Sequence, residues 1–155
     1  MTCVLDAQGV KSVVAALNVL ARRGMLRGGR SLRLAVAEVR VSETGRTLRI
    51  VYARSGRPST APYRVGEGFG RELVAAVGRL DAADWFEVES ALSLLARCGL
   101  LYGGRGFSKQ VEEVRFDVCG RPRIKYAGGK EHVVYRGKAR LLINLRVVKL
   151  KKERC

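Results

Sequence analysis

The chain has 155 residues, and its 30 Lys and Arg against 14 Asp and Glu give a formal charge of +16, an excess beyond what solubility requires that points to a polyanionic partner. A hydrophobic share of 47% is enough to pack a core and points to a globular protein. No apolar run approaches the roughly 18 to 20 residues that span a bilayer, and Met1-Thr2-Cys3-Val4-Leu5-Asp6 lacks a basic region leading into an apolar one, so the expectation is a soluble, cytoplasmic protein with no membrane partner.

Sliding the sequence along itself reveals an internal repeat. Ala16 to Arg30 reads ALNVLARRGMLRGGR and Ala91 to Arg105 reads ALSLLARCGLLYGGR, with 10 of 15 positions identical. The same 75-residue offset from Leu5 to Arg46 gives 20 identities in 42 positions, where random matching at ~7% per position would give about three. Dropping one residue from the second copy aligns Arg49-Ile50 with Arg123-Ile124 and Tyr52-Ala53 with Tyr126-Ala127, and a looser echo pairs Tyr63-Arg64 with Tyr135-Arg136. The expected division is two homologous units, 1–79 and 80–155, packed as one body because about 75 residues form a marginal core alone.

In chain order, Val10, Val13, Val14, Leu17, Leu20 and Ala21 mark one face of a first helix that stops at Gly24. A Gly28-Gly29-Arg30 connector then leads into a hairpin, Leu32 to Val41 and Leu48 to Ala53, turning at Thr44-Gly45. A short third strand is expected at Ala61 to Val65. A helix over Glu67 to Arg79 follows, with Phe69, Leu73, Ala76, Val77 and Leu80 on one face. In the second copy Asp81 caps a helix carrying Trp85, Val88, Leu92 and Leu95 that ends before Gly99. A hairpin from Val111 to Ala127, a strand at His132 to Arg136 and, by symmetry, a helix over Lys138 to Lys152 complete it. The fold class is therefore α+β, two tandem α-β-β-β-α units related by a pseudo-two-fold.

The charge is uneven: residues 30–64 carry +6, residues 66–102 carry −3 and residues 103–155 carry +10, so the hairpin regions hold the excess. Strand alternation sets Arg40, Arg49, Arg115, Arg123 and Lys125 opposite the apolar Val39, Ile50, Val114 and Ile124, which predicts a basic sheet face in both copies. Arg46 and Arg121 at the hairpin tips, and Arg30 and Arg105 after the glycine pairs, extend it toward a phosphate backbone. Glu38 and Glu113 share the parity of Arg40 and Arg115 and can pair with them. Tyr52 and Tyr126 share the parity of Ile50 and Ile124 and read as core, whereas Tyr63 and Tyr135, followed by Arg64 and Arg136, suit base stacking. The glycine pairs read first as connectors between helix and strand, with phosphate contact as a second role.

Two partial resemblances accompany this pattern. Gly66-Glu67-Gly68-Phe69-Gly70-Arg71 opening a helix resembles the end of a double-stranded-RNA-binding domain; the second copy has Tyr135-Arg136-Gly137-Lys138-Ala139-Arg140 there, and neither copy has that family's Gly-Pro-x-His element. Leu5-Asp6-Ala7-Gln8-Gly9 and Leu80-Asp81-Ala82-Ala83-Asp84 resemble the duplicated signature of LAGLIDADG homing endonucleases, which implies metal-dependent cleavage. Gln8 and Ala83 stand where that family needs its metal-binding acid, and helices are expected to follow the motif where the family has strands.

No other pattern suggests catalysis: there is no GxSxG element, and His132, the single histidine, has no counterpart in the first copy. Cys3, Cys98, Cys119 and Cys155 lack CxxC spacing, so neither a metal nor a cofactor is expected. Gln8, Gln110, Asn18 and Asn144 are the only amides, a depletion that resembles hyperthermophile proteins, in which a disulfide is compatible with an intracellular setting. The reading that results is a non-enzymatic protein binding nucleic acid with little sequence discrimination, single-stranded DNA or RNA favoured. The alternatives are a duplex-binding architectural protein or an adaptor in a ribosome-like assembly, and homo-oligomers are compatible with each.

Overall fold

The computed structural model describes residues 3–29, 32–41, 48–53, 72–129, 131–145 and 148–150, with the backbone alone at 3–4 and 148–150. In chain order these form β1 (Cys3–Leu5), α1 (Ala7–Arg22), β2 (Leu26–Gly28), β3 (Leu34–Val41), β4 (Leu48–Tyr52), β5 (Glu72–Val77), α2 (Ala82–Arg97), β6 (Leu101–Gly103), β7 (Lys109–Phe116), β8 (Pro122–Tyr126), β9 (Val133–Val134), β10 (Ala139–Asn144) and β11 (Val148–Leu150). Nine strands make one antiparallel sheet in the order β4-β3-β2-β5-β10-β6-β7-β8-β9, and β1 pairs in parallel with β11. The fold is mixed α+β.

Both helices start and stop for the same local reasons. Asp6 precedes α1, and its Oδ1 accepts from the Gly9 amide at 2.7 Å. Asp81 holds the same position before α2, where the Trp85 amide donates to its backbone carbonyl at 2.8 Å. At the other ends Gly24 and Gly99 turn the chain at φ +69° and +72°. Met25 N–H donates to the Leu20 carbonyl and Leu100 N–H to the Leu95 carbonyl, the paired closure that a left-handed glycine permits. Val13, Ala16, Leu17 and Leu20 of α1, with Val88, Ala91, Leu92 and Leu95 of α2, bury one stripe each into the common core.

The helices run antiparallel. A Cβ at Gly9, at the start of α1, would lie 3.6 Å from Leu94 near the end of α2. At the opposite end Arg23 donates to Asp84, with Nη2 to Oδ2 at 2.6 Å, and lies 3.6 Å from Asp81. Each helix also covers the exposed edge of a long strand beyond its short neighbour. Asn18 exchanges hydrogen bonds with the Val39 backbone at 2.7 and 3.0 Å, and Ser93 donates to the Val114 carbonyl at 2.9 Å.

Two expected helices are strands. The described part of the segment 67–79 is β5, and the segment 138–152 contains β10 and β11. Leu73-Val74-Ala75-Ala76-Val77 is a continuous apolar run, and such a run fits a strand buried at the centre of a sheet as well as it fits a helix. Between β1 and β11, the described residues of the first half run α-β-β-β-β and those of the second run α-β-β-β-β-β, the latter including β9; the strand expected at 61–65 lies outside the described residues. The paired strands of both hairpins match the expectation, as does β9 within 132–136; the turn expected at Thr44-Gly45 lies outside the described residues.

The glycine pairs join strand to strand, since β2 and β6 precede them. Their physical role is to seat a tyrosine. A Cβ on Gly28 would come within 3.0 Å of the Tyr52 hydroxyl and 2.6 Å of Leu73; one on Gly103 would lie 2.9 Å from the Tyr126 ring. Gly29 and Gly104 then turn at φ +76° and +74°. Leu32 and Phe107 follow with positive φ of 55° and 56°, their amides bonded to the Gly29 and Gly104 carbonyls. Cys98 is disulfide-bonded, whereas Cys119 is free and exposed.

The β7–β8 turn docks on the segment leading into α2. Gly120 has φ +79°, accepts from the Leu80 amide, and a Cβ there would fall 2.1 Å from the Leu80 carbonyl oxygen. Gly128 has a similar φ of +81° but open space around it. Gly120→Ala should therefore lower unfolding free energy by roughly 3 kcal/mol and Gly128→Ala by about 1 kcal/mol, as read from urea denaturation.

Candidate nucleic-acid interface

Cross-strand partners point to the same side of a sheet and sequence neighbours to opposite sides, so the registers assign every side chain to a face. Val39↔Ile50, Val114↔Ile124, Leu73↔Ile143 and Ala75↔Leu141 face the helices and join the core. The opposite face carries Arg40↔Arg49 on β3 and β4, Arg115↔Arg123 and Glu113↔Lys125 on β7 and β8, and Arg27, Val74, Ala76, Leu142, Arg140 and Tyr102 across the middle. Each hairpin reaches this arrangement through a bulge, one between Val36 and Glu38 and one between Val111 and Glu113. The extra residue returns the glutamate to the arginine side.

The two outer clusters are built alike. Arg40 is paired with Glu38 at 2.9 Å, and Arg115 is paired with Glu113 through its Nε. The pairing expected from strand parity is thus present. Glu38 raises the Arg40 guanidinium above its ordinary range, first through the hydrogen bond and then through charge. At Glu113 burial pulls the carboxyl upward, but the hydrogen bond and charge of Arg115, then His132 and Lys125, pull it down further. His132 Nε2 lies 3.3 Å from Glu113, and Lys125 lies 3.6 Å from Glu112. Across the strands from these ion pairs stand Arg49 and Arg123, so each cluster sets two arginines side by side.

Other expected residues are placed differently. Arg121 Nε donates to Asp117 at 2.7 Å and holds the turn. Arg105 is exposed in a short 3-10 turn after Gly104, and Arg136 is exposed beyond β9. Tyr52 is buried in the core as its parity predicts, and Tyr126 packs against that core. Tyr135 is half-buried, with its hydroxyl 2.6 Å from that of Tyr126; burial and this contact push the Tyr126 phenol well above its ordinary value. Arg30, Arg46, Tyr63 and Arg64 lie outside the described residues.

Sequence reasoning missed Arg27, Tyr102 and Arg140. Arg27 and Tyr102 occupy one position in the 75-residue offset, each between buried neighbours, Leu26 and Gly28 in one case and Leu101 and Gly103 in the other. That three-residue alternation was the available signal, and it is too short to stand out. Arg140 alternates with buried Ala139 and Leu141, a strand pattern in a segment read as helix. Its guanidinium lies over the Phe107 ring at 5.6 Å from the centroid.

Asp6 and Asp81 cap opposite ends of an antiparallel helix pair whose members are 16 residues long, or about 24 Å. The two acids of the nuclease-like motif are thus kept apart. Among the described residues no group of three or more His, Cys, Asp or Glu is placed to hold a metal, and no helix is long and apolar enough to cross a membrane. No protein family, no curated protein and no solved structure matches this chain.

Asp117 organises the tip beside the second cluster. Its Oδ1 accepts from the amides of Cys119 and Arg121 at 2.9 Å each, and these bonds with the Arg121 side chain hold the carboxyl below its ordinary 3.8, the Arg121 amide first. A depressed carboxyl stabilises fully above that ordinary value and loses its contribution as pH falls through the lower folded value. Asp117→Asn should reduce the thermal midpoint at neutral pH, and the gap to wild type should close in strong acid; a gap constant with pH would refute this role.

Proposed function

We propose that this protein is a non-enzymatic nucleic-acid-binding protein that contacts phosphates through the sheet face opposite its helices. The observation that carries the reading is the cross-strand arginine pair, Arg40↔Arg49 and again Arg115↔Arg123, on that face. Two arginine pairs at matching places on one face offer closely spaced guanidinium groups to the phosphates of a nucleic-acid backbone. The same register in both halves, together with the sequence repeat, supports descent from a tandem duplication into the units 1–79 and 80–155.

Phosphate contacts position a protein without reading sequence, which supports low discrimination. A basic sheet with a few aromatics and no recognition helix favours single strands. Tyr52 lies in the core and the Tyr126 and Tyr135 hydroxyls engage each other, so Tyr102 is the outward aromatic of the central strands among the described residues.

Fluorescence anisotropy with single-stranded and duplex oligonucleotides at roughly 50 and 200 mM salt tests the reading. Binding should weaken steeply with salt. Arg49→Gln with Arg123→Gln should reduce the slope of log affinity against log salt by about 2. Arg22→Gln with Arg97→Gln removes the same charge from exposed sites in the last turns of the helices and should leave the slope nearly unchanged. Equal effects of the two pairs would discard the face; no binding to any oligonucleotide would discard the function.

A further inference from the structure

The central ladder sets a two-fold axis on this face. Val74 pairs with Leu142, and on either side Leu73 pairs with Ile143 and Ala75 with Leu141. The next strands obey the same operation. Leu26 and Arg27 of β2 lie beside Ala75 and Val74, just as Leu101 and Tyr102 of β6 lie beside Ile143 and Leu142. Beyond them, the Arg40–Arg49 cluster on one side has its counterpart in Arg115–Arg123 on the other. A rotation about a line through the Val74–Leu142 pair, normal to the sheet, therefore exchanges the two arginine clusters.

Resting on the nucleic-acid reading above, we propose that the face takes an antiparallel duplex across its dyad, one arginine cluster on the backbone of each strand. Polarity decides between strand types. A two-fold axis presents the second cluster with its in-plane direction reversed. The two backbones of a duplex run in opposite directions and are related by just such an axis, so both clusters make the same contacts. A lone strand passing across both would meet one cluster in the 5′ to 3′ sense and the other in the reverse, and the contacts could not be equivalent.

Spacing agrees. β3 and β7 are five inter-strand steps apart and β4 and β8 seven, which at about 4.8 Å per step places the clusters about 24 to 34 Å apart. That lies within about one helical turn of duplex, ~34 to 36 Å. Arg27 and Arg140 stand between the clusters, nearer the axis, on the same face as Glu72 and Asn144. Single-strand recognition by stacking would need several outward aromatics, and among the described residues only Tyr102 faces out on the central strands.

The test uses the full chain with duplex DNA and duplex RNA of about 6, 12 and 24 base pairs, and with their separated strands, at one intermediate salt. One of the duplexes should bind at least tenfold more tightly than either of its strands. Affinity should fall sharply below about one turn in length. Arg40→Gln with Arg49→Gln, and Arg115→Gln with Arg123→Gln, should each cost a similar factor, and the fourfold variant should lose most binding. Circular dichroism and the Arg22→Gln, Arg97→Gln control separate these losses from misfolding and from bulk charge. Tighter binding to single strands, or a loss confined to one cluster, overturns the duplex inference while leaving salt-steep nucleic-acid binding intact. Absence of binding to every oligonucleotide removes both.

Discussion

Six residue pairs between β5 and β10, from Ala139↔Val77 to Asn144↔Glu72, are the contact on which the rest of the structure depends. Without them the sheet would separate into a four-stranded and a five-stranded part, each with an unpaired apolar edge, and units of that size bury too little surface to be secure. The ladder removes both edges at once. It also places Leu73, Ala75, Leu141 and Ile143 under the crossing of the helix pair, so one core serves both halves. The Arg23–Asp84 pair, half exposed on the arginine side, adds orientation more than stability, because solvent screens ion pairs at the surface.

A second constraint fixes how each hairpin meets this centre. Tyr52 and Tyr126 fill the space left by Gly28 and Gly103, which have no side chain to obstruct the ring. Each ring thereby locks β4 or β8 against the strand two places away in the sheet. The turns that follow store strain, because Leu32 and Phe107 hold positive φ where non-glycine residues rarely sit. The strain is tolerated in both halves because the amides of these residues are tied back to the Gly29 and Gly104 carbonyls. Glycine pairs that read in sequence as phosphate-facing connectors thus have a packing explanation that requires no ligand.

What was legible in the sequence follows from what periodicity can encode. Both 16-residue helices, their caps and both hairpins were readable because amphipathic stripes and turn glycines are local signals. The arginine-bearing face was readable for the same reason: Arg40 and Arg115 alternate with apolar neighbours over several residues. β5 and β10 were not, because their character is set by being at the centre. A run such as Leu73-Val74-Ala75-Ala76-Val77, apolar on both faces, has no period by which to separate a strand from a buried helix. The symmetry of the repeat points to the same helix in 138–152, although Ala139-Arg140-Leu141 alternates in burial as a strand does.

The charge on the face also has a cost that local signals do not show. Arg40 stands opposite Arg49 and Arg115 opposite Arg123, like charges on exposed strands, with Glu38 and Glu113 beside them as counter-charges to Arg40 and Arg115. The sheet can hold these pairs because the face beneath them is rigid, with Val39, Ile50, Val114 and Ile124 fully or almost fully buried. Added salt screens the repulsion and favours the folded protein, yet under the proposed function the same salt weakens phosphate contacts. Under that proposal a polyanion bound to the folded state couples binding to stability, so ligand and protein stability rise together.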